Sequence, residues 1–174
     1  MNGPAPAKLP TPRLWRVALG FLVAPLAGGA AIGAMAWADT GSLSDAFSFE
    51  ALAVLYGGYP PALVLGIPAY LALRRWIRPR PATLALAGGT IAIMPWLWAM
   101  YWPGLRAGVS SQLGDCVSEI DGATTWCGHM ENAKYLALIF AAGAVGGLAF
   151  WLCAVWRDPA LAPKTPAAAG TEAV

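Results

Sequence analysis

The residues best suited to chemistry lie close together in one polar stretch of the chain. Cys116 and Cys127 stand eleven positions apart, and His129, the only histidine, follows the second cysteine. In an oxidising compartment two such thiols form a disulfide, which would restrict the loop and stabilise the folded chain by up to ~3 kcal/mol. The sequence therefore predicts a Cys116–Cys127 disulfide. Cys153 lies in an apolar stretch and is expected to be a buried free thiol.

A metal site is the alternative for the same residues. Thiolate sulfur and imidazole nitrogen are donors that zinc prefers, and Asp115 or Glu131 would complete a set with Cys116, Cys127 and His129. Zinc sites usually contain closely spaced CxxC pairs, which the chain lacks. The disulfide is therefore the favoured interpretation, and no metal is expected.

No other group of residues has the types and spacing that catalysis requires. Proton-coupled carriers need an ionisable side chain within the membrane, and membrane haem needs paired histidines as ligands. The long apolar stretches of this chain contain neither. We therefore expect no catalytic residue, no cofactor and no nucleic-acid partner. An enzyme built on the loop around Cys116 or His129 is the least favoured alternative.

Prolines and tyrosines mark one region as a possible binding site. Proline lacks an N–H donor and clashes with a preceding carbonyl, so a helix is expected to bend or break near Pro60. Freed carbonyls in a membrane must find new donors, and transporters build binding sites on broken helices. A simple proline kink is the alternative. The candidate ligand or partner region consists of Tyr56, Tyr59, Pro60, Pro61, Pro95 and Trp98.

The elements that position these residues are four long stretches of the chain that contain no charged residue. A helix of 22 residues rises ~33 Å at 1.5 Å per residue, which is enough to cross a hydrocarbon core of ~30 Å. Only 11% of the residues are charged, against about 25% in soluble domains. The sequence predicts an all-α integral membrane protein, a single domain over 1–174 that forms a four-transmembrane-helix bundle. The spans are expected at about 14–38, 51–74, 81–105 and 135–156.

The basic residues sort to one side of these spans. Loops that are rich in Lys and Arg stay in the cytoplasm. We therefore expect a multi-pass protein of the bacterial inner (plasma) membrane with both termini cytoplasmic and an outer loop at 106–134. The Pro- and Ala-rich ends predict disordered tails at about 1–12 and 158–174. Nine of the eleven basic residues fall on the side of the termini, namely Lys8, Arg13, Arg16, Arg74, Arg75, Arg78, Arg80, Arg157 and Lys164.

A cleaved secretory signal is the alternative for the first span, because Ala36-Trp37-Ala38 resembles a cleavage site. The apolar core of a signal is about 7–15 residues long. The stretch from Val17 to Ala38 is longer, so a retained span is favoured.

Small residues recur at four-residue spacing within the spans. This spacing places them on one helix face and lets backbones approach closely, which is how helices associate in lipid. Packing within the bundle is favoured over a dedicated homodimer face. The stripes are Gly20, Ala24 and Gly28; Gly29 and Gly33; Ala142 and Gly146; and Gly143 and Gly147.

An apolar chain without a catalytic group is expected to act through contacts. The favoured function is a non-catalytic accessory, assembly or envelope-maintenance factor. Its partners would be the lipid bilayer and either a larger membrane protein or a second copy of the chain. The first alternative is a small permease or a lipid- or solute-binding protein that uses the bent second span against the outer part of the third. The second is the outer-loop enzyme or metal site.

The charge asymmetry predicts the outcome of topology reporters. Fusions after Arg78 and after Lys164 should report the cytoplasm, and a fusion within 114–128 should report the exterior, because Lys and Arg hold their loops inside. Paired alkaline phosphatase and fluorescent protein fusions measure this. A cytoplasmic signal from the 114–128 fusion would overturn the four-span orientation.

Overall fold

The computed structural model describes residues 12–74, 79–102, 108, 110–113 and 116–158. Within these residues four helices are long and apolar enough to cross a membrane, which confirms the predicted number. We number them in chain order as α1 (Leu14–Thr40), α2 (43–73), α3 (Pro81–Tyr101) and α4 (Trp126–Ala154). Of the tails predicted at 1–12 and 158–174, residues 1–11 and 159–174 lie outside the described residues, as do Arg75 and Arg78.

Two helices begin earlier than the predicted spans. Helix α2 begins at Leu43 rather than at residue 51, because the Ser42 hydroxyl accepts a hydrogen bond from the Asp45 N–H at 3.3 Å and caps the first turn. Helix α4 begins at Trp126 rather than at residue 135, because the Thr125 hydroxyl accepts from the Gly128 N–H at 3.1 Å. The additional turns carry charged residues, so a search for charge-free stretches stops short of them.

Helix α2 is continuous through its prolines, so the alternative of a break is wrong, but its turns there are irregular. It alternates regular and wide π turns, since the N–H of Tyr59 bonds to the carbonyl of Val54 and that of Ile67 to the carbonyl of Ala62, five residues back. Single π turns accommodate irregular positions inside α-helices. The consecutive segments are Leu43–Leu52, Ala53–Gly58 (π), Tyr59–Pro61, Ala62–Gly66 (π) and Ile67–Leu73.

Helix α4 lies between α1 and α3, and α2 packs against α1. The contact between α1 and α4 depends on small residues at facing positions. A Cβ on Gly146 would lie 2.8 Å from the carbonyl oxygen of Ala24, and one on Gly28 would lie 3.0 Å from that of Ala142. The predicted small-residue stripes of these two helices thus face each other in antiparallel register, and the backbones approach as closely as small residues allow.

The other predicted stripes serve the two remaining helix pairs. On α4, Gly143 leaves no space for a Cβ against the Gly88 carbonyl of α3, and Gly147 leaves none against the Leu84 carbonyl. On the adjacent face of α1, Gly29 packs against Val54 of α2, and a Cβ on Gly33 would lie 3.0 Å from the Ala46 carbonyl oxygen. Every predicted stripe therefore packs inside the bundle.

Antiparallel packing defines two ends of the bundle. The termini end holds the starts of α1 and α3 and the ends of α2 and α4, and the sheet end holds the opposite helix ends. At the termini end, Arg16 donates from Nε to the carbonyl of Cys153 at 3.0 Å and from Nη2 to that of Trp156 at 2.7 Å. The N–H of Arg13 donates to Asp158 Oδ2 at 3.1 Å. Asp158, assigned above to a disordered tail, is therefore buried and helps to hold α1 against α4.

The predicted outer loop contains a small antiparallel sheet, which the sequence analysis did not anticipate. In the described part it has three strands in the order β1 (Ser111–Leu113), β2 (Cys116–Ile120) and β3 (Ala123–Thr124). Asp121 and Gly122, with φ of 55° and 82°, form the two-residue turn between β2 and β3. An Asp-Gly pair is favoured there because both positions need positive φ.

Enlarging a residue of the α1–α4 contact should destabilise the bundle. We expect Gly146→Val to lower the free energy of unfolding by about 1–3 kcal/mol, because the new side chain meets the Ala24 carbonyl and forces the backbones apart. Ala141→Val is the matched control, since Ala141 is exposed on the same helix. Denaturant unfolding in mild detergent measures both. Equal stability of the two variants would contradict close packing at this contact.

Candidate functional site

A long apolar cleft of about 850 Å³ lies between the helices in the described part of the chain, and all four helices line it. It exists because α4 and α1 occupy the middle of the bundle, so that α2 and α3 form its two sides. Helix α2 approaches α3 mainly over the segments Tyr59–Pro61 and Ala62–Gly66. Small-molecule sites usually have volumes of ~300–1,000 Å³, so the cleft has the capacity of a binding site.

The cleft runs nearly the whole length of the bundle. On α1 its lining extends from Phe21 to Thr40, which is roughly 29 Å at 1.5 Å per residue. This length is close to the ~30 Å thickness of a hydrocarbon core. Helix α2 contributes Gly57, where a Cβ would meet no atom within 4 Å. The cleft therefore has open space beside Gly57.

An aromatic cluster lies near the termini end of the cleft. The rings of Phe21 and Phe150 meet edge to face with centroids 4.9 Å apart, and Tyr70 lies 6.0 Å from Phe21 and 5.8 Å from Phe150. Such pairs add ~0.5–1.5 kcal/mol beyond the area that they bury. One turn beyond Tyr70, the half-buried Arg74 lines the mouth. This end of the cleft thus combines a rigid apolar wall with a cation.

The sheet end of the cleft has the opposite charge. Asp39 and Thr40 line it there, and Asp39 is the only acid among the described lining residues. The only basic residue in that lining is Arg74, at the other mouth. The described lining of the cleft is therefore mostly apolar along its length, with an acidic residue at the sheet end and a basic residue at the termini end.

The predicted ligand or partner region is divided by the structure. Of its six residues, Tyr56 and Pro61 are in the lining of the cleft. The Tyr59 hydroxyl instead donates to the carbonyl of Leu22 in α1 at 3.0 Å. The neighbouring carbonyl of Phe21 lacks its usual hydrogen bond in α1, because residue 25, which would donate to it, is a proline without an N–H. The three others lie outside the described lining: Pro60 is exposed, Pro95 lies within α3, and the Trp98 ring packs 5.1 Å from Trp102.

The predicted disulfide between Cys116 and Cys127 is confirmed. It joins strand β2 to the first turn of α4, with the Cα atoms 6.2 Å apart. The Thr125 hydroxyl also donates to the carbonyl of Val117 at 2.6 Å, so the sheet is fastened to the helix at two adjacent points.

A metal site with Cys116 and Cys127 as thiolate ligands would need both sulfurs free, and the disulfide joins them. Among the described residues no group of three or more His, Cys, Asp and Glu side chains comes together. His129 is exposed in the first turns of α4, and Glu131 forms an ion pair with Lys134 at 2.6 Å. Asp115, the other proposed ligand, lies outside the described residues.

The early start of α2 brings ionisable residues into a candidate membrane span. The argument against proton-coupled transport relied on stretches without such residues, but α2 carries Asp45 and Glu50. The Glu50 side chain is half-buried and packs against Gly33 of α1. It does not line the cleft. The early start of α4 likewise adds Glu131 and Lys134, so the exclusion applies to α2 only beyond Glu50 and to α4 only beyond Lys134.

Arg74 was not among the predicted site residues, although a signal for it was present. It was assigned only to the basic loop that sets orientation. Tyr70 and Arg74 stand four residues apart, a spacing that places them on one helix face. Gly66 precedes Tyr70 at the same spacing, so Gly66, Tyr70 and Arg74 lie on one face of α2. A candidate site on this face could have been predicted from the sequence.

Comparison of the chain with protein-family models, curated proteins and solved structures gives no significant match.

The cysteine pairing predicts a simple labelling pattern. Alkylation without reductant should modify Cys153 alone, and mainly after denaturation, because Cys153 is half-buried and free while the other two thiols are joined. Mass spectrometry of the digested protein measures this. Reduction first should expose all three thiols. Modification of Cys116 without reductant would contradict the disulfide.

Proposed function

We propose that this protein is a non-catalytic membrane protein that holds a membrane lipid in the cleft between its helices. It would lie in the bacterial inner (plasma) membrane with the termini end of the bundle facing the cytoplasm. The observation that carries the proposal is the 850 Å³ cleft, whose length is close to the thickness of a hydrocarbon core.

The composition of the cleft wall supports a lipid rather than a polar solute. Glycine, alanine, proline and large apolar side chains make up most of the lining, and Gly57 faces open space. A polar solute would need several converging hydrogen-bond partners to replace its water. An acyl chain needs none. A cleft between helices in a bilayer is also exposed to acyl chains at high concentration.

The proposed orientation rests on the basic residues at the termini end. Among the described residues this end carries Arg13, Arg16, Arg74, Arg80 and Arg157. The sheet end carries Lys134, which is paired with Glu131. Such asymmetry favours a cytoplasmic termini end. The disulfide would then lie in the oxidising exterior, where it is expected to persist.

The accessory role is the second candidate, and one feature favours it. The sheet is fastened to α4 and exposes Val117 and Ile120, and Trp126, the first residue of α4, has 80% of its surface accessible. Large apolar side chains left exposed to solvent often contact another protein. In this role the cleft would accept a helix of a larger membrane protein.

Filling the cleft should remove the lipid without unfolding the protein. We expect Gly57→Trp to lose most of the phospholipid that copurifies in mild detergent, because its side chain enters open space in the cleft. Leu55→Trp is the control, since Leu55 is exposed and outside the lining. Native mass spectrometry counts the lipids retained on each variant.

The same experiment separates the two candidate functions. Wild-type protein that retains lipid, with loss in Gly57→Trp alone, is the expected result. Protein that retains no lipid but carries a stoichiometric larger partner would replace lipid binding with the accessory role. Equal lipid retention by Gly57→Trp and Leu55→Trp would refute the cleft as the lipid site.

A further inference from the structure

We infer that Arg74 binds the phosphate of an anionic phospholipid of the cytoplasmic leaflet, whose acyl chain occupies the cleft. This inference rests on the proposed lipid-binding function and adds to it the headgroup, its charge and the end at which it binds. It follows from the position of Arg74, the signs of charge at the two mouths and the polar groups at the termini end of the cleft.

Arg74 occupies the boundary between the apolar cleft and the termini end. Its N–H bonds to the carbonyl of Tyr70 at 2.9 Å, which places it one turn beyond the aromatic cluster. Its side chain lines the mouth and is half-buried. An arginine at this level can lay its aliphatic stem along apolar surface while its guanidinium reaches the headgroup layer. A lipid whose tail fills the cleft would place its phosphate at the same depth.

The charges of the cleft orient an anionic headgroup. Asp39 at the sheet end repels a phosphate, and Arg74 at the termini end attracts it. Asp158, the one acid among the described residues of the termini end, accepts a hydrogen bond from the Arg13 backbone and does not line the cleft. Between the two mouths the described lining is uncharged. A lipid with its phosphate at Arg74 and its tail toward Asp39 is therefore the favoured arrangement.

The polar groups at the termini end of the cleft fit a phosphate ester. The guanidinium presents several donors in a planar fork that matches phosphate oxygens, which a single ammonium group does not. Thr83 of α3 lines the same part of the cleft, and its hydroxyl can donate a further hydrogen bond. Tyr70 gives the first carbons of the tail an aromatic wall. The site thus favours an anionic phospholipid over a zwitterionic one, whose positive headgroup amine Arg74 repels.

Competition between lipids tests this inference directly. Purified full-length protein is reconstituted in nanodiscs of equal parts phosphatidylglycerol and phosphatidylcholine, extracted in mild detergent and analysed by native mass spectrometry. We expect the wild type to retain phosphatidylglycerol preferentially. Arg74→Gln should retain a similar amount of lipid but lose the preference by about tenfold, the size of effect expected when a charged hydrogen bond is removed.

Two further variants keep the result interpretable. Arg80→Gln removes an exposed charge from the same end of the bundle, outside the lining, and should keep the wild-type preference. Arg74→Lys retains the charge and should keep part of the preference for phosphatidylglycerol. If Arg74→Gln fails to fold, the comparison of Arg74→Lys with wild type carries the test.

Each failure has a distinct signature. Lipid that is retained without preference by the wild type, or an equal preference in wild type and Arg74→Gln, overturns the headgroup site and leaves lipid binding intact. Loss of preference in Arg80→Gln as large as in Arg74→Gln also overturns it, since surface charge alone would then attract the lipid. Wild-type protein that retains no lipid overturns the proposed function as well.

Discussion

Close backbone approach along α4 is the constraint on which the rest of the structure depends. In lipid there is little hydrophobic drive between helices, so they associate through van der Waals packing that small residues make possible. Helix α4 uses Ala142 and Gly146 against α1 and Gly143 and Gly147 against α3. Because two adjacent faces of α4 are occupied in this way, the positions of both α1 and α3 are fixed by their contacts with α4.

The cleft follows from that arrangement. Helix α1 has a second face, at Gly29 and Gly33, and α2 packs there. Helices α2 and α3 are thus attached to different central helices, and their mutual contact is concentrated in the middle of α2. The aromatic cluster around Phe150 closes the wall near the termini end, and the Arg16 contacts with the last carbonyls of α4 hold that end together. The cleft is therefore a consequence of helix pairing that also stabilises the bundle.

The number of spans and the disulfide could be predicted because each depends on local composition. The helix starts could not be, because Ser42 and Thr125 cap turns that carry charge, and a search for charge-free stretches ends before them. The hairpin at Asp121 and Gly122 was predictable from its turn residues and was overlooked. The cleft could not be predicted from the sequence. The two glycine stripes of α1 look alike in sequence, and the position of the cleft depends on which stripe packs against α2 and which against α4.

The openness of the cleft to lipid can be measured at Gly57, where a side chain would meet open space. A spin label on Gly57→Cys, in protein that also carries Cys153→Ala, is studied in bilayers by its relaxation with oxygen and with a water-soluble nickel chelate. A lipid-filled cleft predicts strong relaxation by oxygen and little by nickel. A label that neither reagent reaches would show that α2 and α3 close against each other and would contradict the cleft.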